Sequence, residues 1–131
     1  MVLALQGIRT ALVPLTGPVQ HLLGAVTFAR ADLVALHPGC AQRDLLSALA
    51  ERDIRWIELP EGDELSVRRG NNFVAVAPGR VVMPARCPRI RGLLEAASVE
   101  CHEVTVDQSL NAAGGVGCLT GILRRAEGDE P

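Results

Sequence analysis

The sequence contains no lysine and no tyrosine, and aromatic residues make up only 2% of its 131 positions. All 13 basic residues are arginine, which excludes a phosphate-binding loop with its lysine and every reaction through a lysine Schiff base. The shortage of aromatic rings leaves few surfaces on which nucleobases could stack. Together with a formal net charge of -2 at pH 7, this shortage argues against a nucleic-acid partner.

Long apolar runs and a targeting segment are also missing. No stretch reaches the roughly 18 apolar residues that a membrane helix needs, and the N-terminus lacks the pattern of a secretory signal. We therefore expect a cytoplasmic protein without a membrane partner. In a reducing compartment the four cysteines should be free thiols, and because they form no Cys-x-x-Cys pair they define neither a zinc ribbon nor a thioredoxin-type motif.

What the sequence does contain is a repeated order of elements: strand, strand, helix, strand (ββαβ). The first unit has β-prone runs at 24–28 and 32–36, a helical pattern at 41–51 and a strand at 54–59. The second has strands at 72–76 and 80–83, a helix that begins near Pro88 and a strand at 99–106. Such a repeat is typical of modular folds, in which neighbouring units bury each other's apolar faces.

The apolar positions of the two predicted helices support the repeat. They lie 48 positions apart, with Leu45, Leu46 and Leu49 corresponding to Leu93, Leu94 and Ala97. Segments 8–15 and 116–123, before and after the two units, are each long enough for a further strand. The pattern predicts one α/β domain over 1–123, followed by a polar, disordered tail at 124–131.

The segment Asn111-Ala-Ala-Gly-Gly-Val-Gly-Cys118-Leu-Thr has the clearest chemical potential. Three glycines before Cys118 leave the backbone free to expose the thiol and to let a ligand approach closely. Composition alone favours a plainer interpretation, a glycine-rich turn followed by a buried cysteine. Among the histidines, His21 precedes the first pair of strands, His37 beside Pro38 is expected in a turn, and His102 is expected on a strand.

Several motifs occur in the order and spacing of bacterial dimethylarginine dimethylaminohydrolases. They are, in chain order, His21-Leu22, Asn71-Asn72-Phe-Val-Ala-Val, Arg80-Val-Val-Met-Pro84, Cys87-Pro-Arg89, Val99-Glu-Cys-His-Glu-Val104 and Gly114-Gly-Val-Gly-Cys-Leu-Thr120. The chain from about His21 to Leu123 thus resembles the C-terminal half of these enzymes, which belong to the guanidino-group-modifying, or amidinotransferase, superfamily. The most specific motif is the terminal Gly-Gly-x-x-Cys-[Leu/Met]-[Ser/Thr] signature.

This resemblance implies an α/β propeller of five ββαβ modules around a central active site, of which the chain would form about half. By motif match, Cys118 falls on the nucleophile and His21 on the catalytic histidine. Gly115, Val116 and Asn71 are expected to contact the substrate. The implied reaction converts methylated arginine to citrulline and a methylamine through a thiouronium intermediate on the cysteine, with neither a metal nor another cofactor.

Enzymes of this superfamily also use carboxylates to hold the guanidinium group and to orient the histidine, and these come largely from the N-terminal half. Within this chain, Glu61, Asp63 and Glu64 in the loop after the first module could give acidic support. Two modules cannot close a ring of five, so apolar side faces and open sheet edges would stay exposed. We therefore expect a homo-oligomer or a complementary N-terminal half chain.

Two other functions stay open. One is a catalytically silent half-propeller that serves as a subunit or binding module, for which the absent carboxylates argue. The other is arginine deiminase or amidinotransferase activity, which shares the nucleophile and the fold but differs in substrate. The presence of Cys118 and His21 favours an enzyme, and the Gly-Gly-Val-Gly-Cys-Leu-Thr pattern favours the dimethylarginine branch.

Overall fold

The computed structural model describes residues 2–124, which form short helices and two three-stranded β-sheets. The tail predicted to be disordered at 124–131 therefore lies, apart from Arg124, outside the described residues. Across the described part of the chain, no helix combines the length and the apolar character that crossing a membrane requires.

The helices and strands follow one another along the chain in a regular order. Before and within the first sheet they are α1 (Val2–Leu5), α2 (Leu22–Ala25), β1 (Val26–Arg30), β2 (Leu33–Leu36), α3 (Arg43–Ala50) and β3 (Arg55–Glu58). After it they are α4 (Asp63–Ser66), β4 (Val74–Ala77), β5 (Arg80–Pro84), α5 (Pro88–Ala96), β6 (Glu100–Val104) and α6 (Asp107–Asn111). Single 3₁₀ turns lie at Pro38–Cys40 and Gly117–Leu119.

Both sheets have the same topology. In each, the first two strands form an antiparallel hairpin with an irregularity one residue before the turn, and the third strand runs parallel to the second after a crossover helix. A parallel neighbour needs such a crossover because a tight turn can only reverse the chain. The predicted order of two ββαβ modules is confirmed.

The strand register shows which positions of the two modules are equivalent. Leu33 pairs with Arg55 and Arg80 pairs with Glu100, so the hairpin repeats after 47 positions and the third strand after 45. The helices follow the second interval, since Arg43 and Pro88 begin them. The 48-residue spacing of the leucines is therefore not the structural repeat, because the connection from the second strand to the helix is two residues shorter in the second module.

The buried helix positions agree with this corrected alignment. Leu45 and Leu49 of α3 are the buried residues of the first helix, and Ile90 and Leu94 of α5 are those of the second. Leu93, which the leucine spacing places in the core, is 39% exposed. Because only one face of each helix packs on its sheet, a shift of three residues is enough to turn Leu93 towards solvent.

Buried residues form two hydrophobic clusters, and one of them contains residues of both modules. Val34 and Leu36 face the first helix, whereas Leu33 and Ala35, on the opposite face of β2, pack into the cluster that also contains Ile90 of the second module. Two hydrogen bonds also join the modules: Gly79 N–H donates to the Ala29 carbonyl at 3.0 Å, and Arg30 donates to the Ala97 carbonyl at 3.1 Å. This shared burial makes the two modules a single packed unit.

The outer face of the second sheet carries charged residues beside apolar ones such as Val82 and Val104, so the expected apolar side face is only partly present. The register places Arg80 and His102 where the first module has Leu33 and Ile57. Arg80 pairs with Glu100 at 2.8 Å, and His102 Nε2 lies 2.8 Å from a Glu100 oxygen. Side chains that form such half-exposed ion pairs remain solvated, so this part of the face needs no apolar cover.

The two flanking segments do not form the strands that their apolar residues suggested. Residues 8–15 have no regular structure, and in 116–123 a 3₁₀ turn at Gly117–Leu119 is followed by irregular chain. A strand exists only beside a partner that bonds its N–H and C=O groups, and no described strand pairs with either segment. Their apolar side chains remain exposed, Leu12 at 88% and Ile122 at 54%.

Candidate active site

Cys118 is set apart from the other three cysteines by its exposure. It lies in the 3₁₀ turn Gly117–Leu119, whereas Cys40, Cys87 and Cys101 are buried free thiols. Burial, as the main cause, raises the pKa of Cys87 and that of Cys101 to about 11, and it raises the pKa of Cys40 as well. A thiolate is the reactive form, so the buried thiols are poorly suited to be nucleophiles and Cys118 is the accessible candidate.

Asn72 is the residue that contacts the Cys118 thiol, and it was not among the residues predicted for the site. Its side chain is 6% exposed; Nδ2 donates to Cys118 Sγ at 3.4 Å, and Oδ1 accepts from the Gly117 N–H at 2.7 Å. The Asn71-Asn72 pair occurs in the motif that resembles the family, yet only Asn71 was expected in the site. The available signal was the pair of asparagines immediately before an apolar strand. Polar side chains buried at such a position must find hydrogen-bond partners.

The glycine-rich segment is shaped by the same asparagine. A Cβ on Gly115 would lie 2.5 Å from Asn72 Cγ, and one on Gly117 would lie 2.8 Å from Asn72 Oδ1. Neither contact leaves room for a side chain, so glycine at both positions lets the loop wrap around the amide. From the sequence, these glycines were expected to let a ligand approach the backbone closely. In the structure it is the Asn72 side chain that approaches the backbone there.

The turn that carries His21 lies against the same loop. The Asn71 amide donates to the Gly24 carbonyl at 2.6 Å, and a Cβ on Gly117 would lie 3.5 Å from Leu23 Cδ2. His21 itself is exposed, precedes the one-turn helix α2, and uses no side-chain bond to cap it. Adjacent buried asparagines therefore attach the segment of His21 and the loop of Cys118 to one point of the fold.

The other residues predicted for the substrate site are buried. Gly115 and Val116 immediately precede the 3₁₀ turn, and Asn71 is 6% exposed with its amide donating to the Gly24 carbonyl. Their contact with a substrate stays a prediction. Asn71 also has a structural function, since it fixes the turn before β1.

Among the acidic candidates, Glu64 has a clear structural partner. Its two carboxylate oxygens accept from the backbone N–H groups of Arg89 and Ile90, at 3.1 and 3.0 Å, at the N-terminus of α5. A carboxylate there satisfies free N–H groups and opposes the positive end of the helix dipole. Glu61 in the loop and Asp63 at the start of α4 are both exposed, and the acidic support assigned to all three stays a prediction.

A cleft of about 950 Å³ opens between β1, β4 and the segment that follows Cys118. Its walls are mainly apolar, with Phe28, Val76, Ile122 and Leu123 among the lining residues. Arg30 and Arg124 also line it, but Cys118 and His21 do not. The cleft therefore adjoins the cysteine segment without containing the two residues predicted to react.

The fold is that of guanidino-group-modifying enzymes. The structure superposes on inosamine-phosphate amidinotransferase StrB1 from Streptomyces griseus with a TM-score of 0.69 and 23% identity, covering 84% of this chain and 34% of that one. It superposes on a dimethylarginine dimethylaminohydrolase, solved as an adduct with 4-chloro-2-hydroxymethylpyridine, with a TM-score of 0.58 and 27% identity, covering 79% and 38%. The expected partial α/β propeller is confirmed.

Two further similarities fall in the same group of enzymes. The dimethylarginine dimethylaminohydrolase from Pseudomonas aeruginosa, as a cysteine-to-serine mutant with citrulline, has a TM-score of 0.60 and 20% identity over 79% of this chain and 36% of its own. In sequence, the chain is 28% identical over 101 residues to the arginine deiminase of Clostridium perfringens, which covers 73% of this chain and 24% of that protein. No protein-family model matches the chain.

These relatives support the superfamily but not one reaction within it, since an amidinotransferase, a dimethylarginine dimethylaminohydrolase and an arginine deiminase all match. The chain spans about a quarter of the curated relative's length and little more than a third of each solved structure.

Proposed function

We propose that this chain carries the nucleophile of a cysteine hydrolase that acts on a guanidino compound, with methylated arginine as the substrate. The observation that supports the proposal most is the exposed Cys118 thiol. The buried Asn72 amide lies 3.4 Å from its sulfur, next to the glycine-rich loop. The fold, which is that of guanidino-group-modifying enzymes, supports this chemistry for Cys118.

In the proposed reaction, the Cys118 thiolate adds to the guanidinium carbon to give a tetrahedral adduct. The bond from that carbon to the methylated nitrogen then breaks, and His21 donates the proton with which the methylamine leaves, so that a covalent thiouronium remains. Water, deprotonated by His21, adds to the same carbon. Collapse of this second adduct breaks the C–S bond, releases citrulline and returns the thiolate.

A strong and positioned nucleophile is needed because the charge of a guanidinium is shared over three nitrogens, which makes its carbon a poor electrophile. Carboxylates that hold the cation would lower the barrier further. Within the described residues near Cys118, the contacts found come from amide and backbone groups. We therefore propose that a further chain, either a second copy or one with the remaining modules, supplies this charge.

Arginine deiminase activity is the second candidate, favoured by the 28% identity to the Clostridium perfringens deiminase. It would use the same adduct on Cys118, with ammonia as the leaving group. The two reactions differ only in whether the broken bond leads to an unsubstituted or a methylated nitrogen. Direct comparison of arginine with dimethylarginine as substrate separates them.

The test is a turnover assay for ureido product, run with the purified chain, with cell extract added, and with Cys118→Ser in parallel. We expect product from dimethylarginine, and none from the serine variant, because an alcohol is a far weaker nucleophile. Product from arginine alone would assign the deiminase reaction. If the serine variant turns over at the wild-type rate, or if neither substrate gives product under any condition, the silent half-propeller is the better account.

A further inference from the structure

We propose that Asn72 is a positioning residue for Cys118: its amide holds the glycine-rich loop through one atom and stabilises negative charge on the sulfur through another. This inference rests on the proposed function only in its use of Cys118 as a nucleophile. The contacts of Asn72 with Gly117 and Cys118 do not depend on that proposal.

The orientation of the Asn72 amide is fixed by chemistry. The Gly117 N–H can only donate, so the atom 2.7 Å from it must be the carbonyl oxygen Oδ1. The planar amide then directs its NH₂ group to the other side, where Cys118 Sγ lies 3.4 Å away. A reversed amide would place two donors against each other, which a buried group avoids.

The loop has little freedom to move away from this amide. Asn72 is 6% exposed, and atoms of its side chain lie within 3 Å of the positions that side chains on Gly115 and Gly117 would occupy. The Gly117 N–H also lies 3.4 Å from the Asn72 backbone carbonyl. The sulfur therefore keeps the Asn72 amide donor as a neighbour, although Cys118 itself is exposed.

A donor in this position matters most when the sulfur is charged. Hydrogen bonds to an ionised acceptor are about twice as strong as those between neutral groups, so the amide favours the thiolate over the thiol. The proposed reaction begins with that thiolate and ends by releasing it. Asn72 would therefore assist both the attack and the departure of the sulfur without touching the substrate.

The experiment measures alkylation of Cys118 by iodoacetamide, which needs neither substrate nor partner. Asn72→Asp keeps the acceptor for Gly117 N–H but removes the donor to sulfur, whereas Asn72→Ala removes both. Asn111→Asp, at an exposed position of α6, is the matched control for the change of charge. Mass spectrometry counts labels per molecule, and only molecules whose Cys87 and Cys101 remain unlabelled are scored as folded.

We expect both Asn72 variants to slow labelling of Cys118 by about tenfold at neutral pH, because neither keeps the donor to the sulfur. The Asn111 control should match the wild type. Slowing of at least fivefold in both variants supports the proposal, and a smaller effect in either one overturns it. A purely structural contact would change the unfolding midpoint without slowing the labelling of Cys118 in molecules that are scored as folded.

The outcome is separate from that of the proposed function. If the chain and its extracts never convert a guanidino compound while Asn72 still controls the labelling rate, the positioning inference stands and the hydrolase proposal fails. If turnover is seen but labelling does not depend on Asn72, the reverse holds.

Discussion

Individual residues near the candidate site differ sharply in how far sequence alone reveals them. Cys118 stands out because three glycines before a cysteine are unusual, and the structure leaves its thiol exposed. Asn72 does not stand out, because nothing in a sequence shows that a side chain 46 positions away will fill the space that two glycines leave. Tertiary contacts of this kind are set by packing, which local pattern does not encode.

The first prediction compares a glycine packed against the Asn72 side chain with a glycine that has open space around its Cβ position. Gly115→Ala should destabilise the fold by about 1–3 kcal/mol, because its Cβ would meet Asn72 Cγ at 2.5 Å. Gly92→Ala is the matched control: nothing lies within 4 Å of its Cβ, and it sits inside α5, so it should stabilise by about 0.5–1 kcal/mol. Urea unfolding of both variants checks this, and equal effects would contradict the geometry.

The second prediction concerns pH. Burial holds the pKa of His37 below its usual 6.5, and its Nδ1 accepts from the Gly39 N–H, which requires the neutral ring. Below pH 6.5 the unfolded chain binds the proton more readily than the folded one, so stability must fall as the pH falls. No such loss is expected above that range.

His37→Asn is the informative comparison for this effect, since asparagine can still cap the 3₁₀ turn but does not titrate. Thermal unfolding followed from pH 7.5 to pH 5.5 should show a smaller loss in the variant than in the wild type. Parallel curves for the two proteins would mean that His37 does not titrate differently in the folded state.

At the scale of elements, the hydrophobic pattern predicted the order of the strands and crossover helices in the two modules. Which further segments become strands was decided by strand pairing. Alternating apolar runs located six strands, and helical spacing located α3 and α5. The same kind of run at 8–15 and 116–123 gave no strand, because a strand depends on a neighbour that sequence does not identify. The leucine spacing likewise misaligned the helices by three residues.

The third prediction concerns the N-terminus of α5, whose own N-cap residue makes no side-chain bond. Glu64→Ala should destabilise the protein by about 1 kcal/mol, since it removes both acceptors for Arg89 and Ile90 N–H. Glu61→Ala, at an exposed position just before α4, is the control and should change stability little. If chemical denaturation gives equal losses, Glu64 does not cap the helix.

At the scale of the whole molecule, the two modules bury one another, yet apolar segments at both ends stay exposed and the last sheet presents ion pairs. The fourth prediction is therefore association through the end segments and not through the Arg80 face. Light scattering after size exclusion should give more than the 13.9 kDa of one chain, either alone or with a partner. Arg80→Glu should leave that mass unchanged, and its loss would assign the interface to the ionic face.

The fold class was predictable because a repeat and a signature can be recognised without coordinates. The substrate was not predictable, because an amidinotransferase and a dimethylarginine dimethylaminohydrolase share the fold, and an arginine deiminase is similar in sequence. The reactions proposed for this chain all begin with attack of the Cys118 thiolate on a guanidinium carbon, so the reactivity of one sulfur is the claim on which the functional account depends.

That claim is tested most directly by the rate at which chloroacetamidine, a cation that resembles guanidinium and carries an alkylating carbon, labels Cys118 in the purified chain. An unstructured peptide with the sequence of residues 114–121 is the reference. The account predicts one adduct per folded chain, located on Cys118 by mass spectrometry and formed at least about ten times faster than on the peptide. Labelling at the peptide's rate or below would show that the fold does not activate this thiol, and would contradict the account.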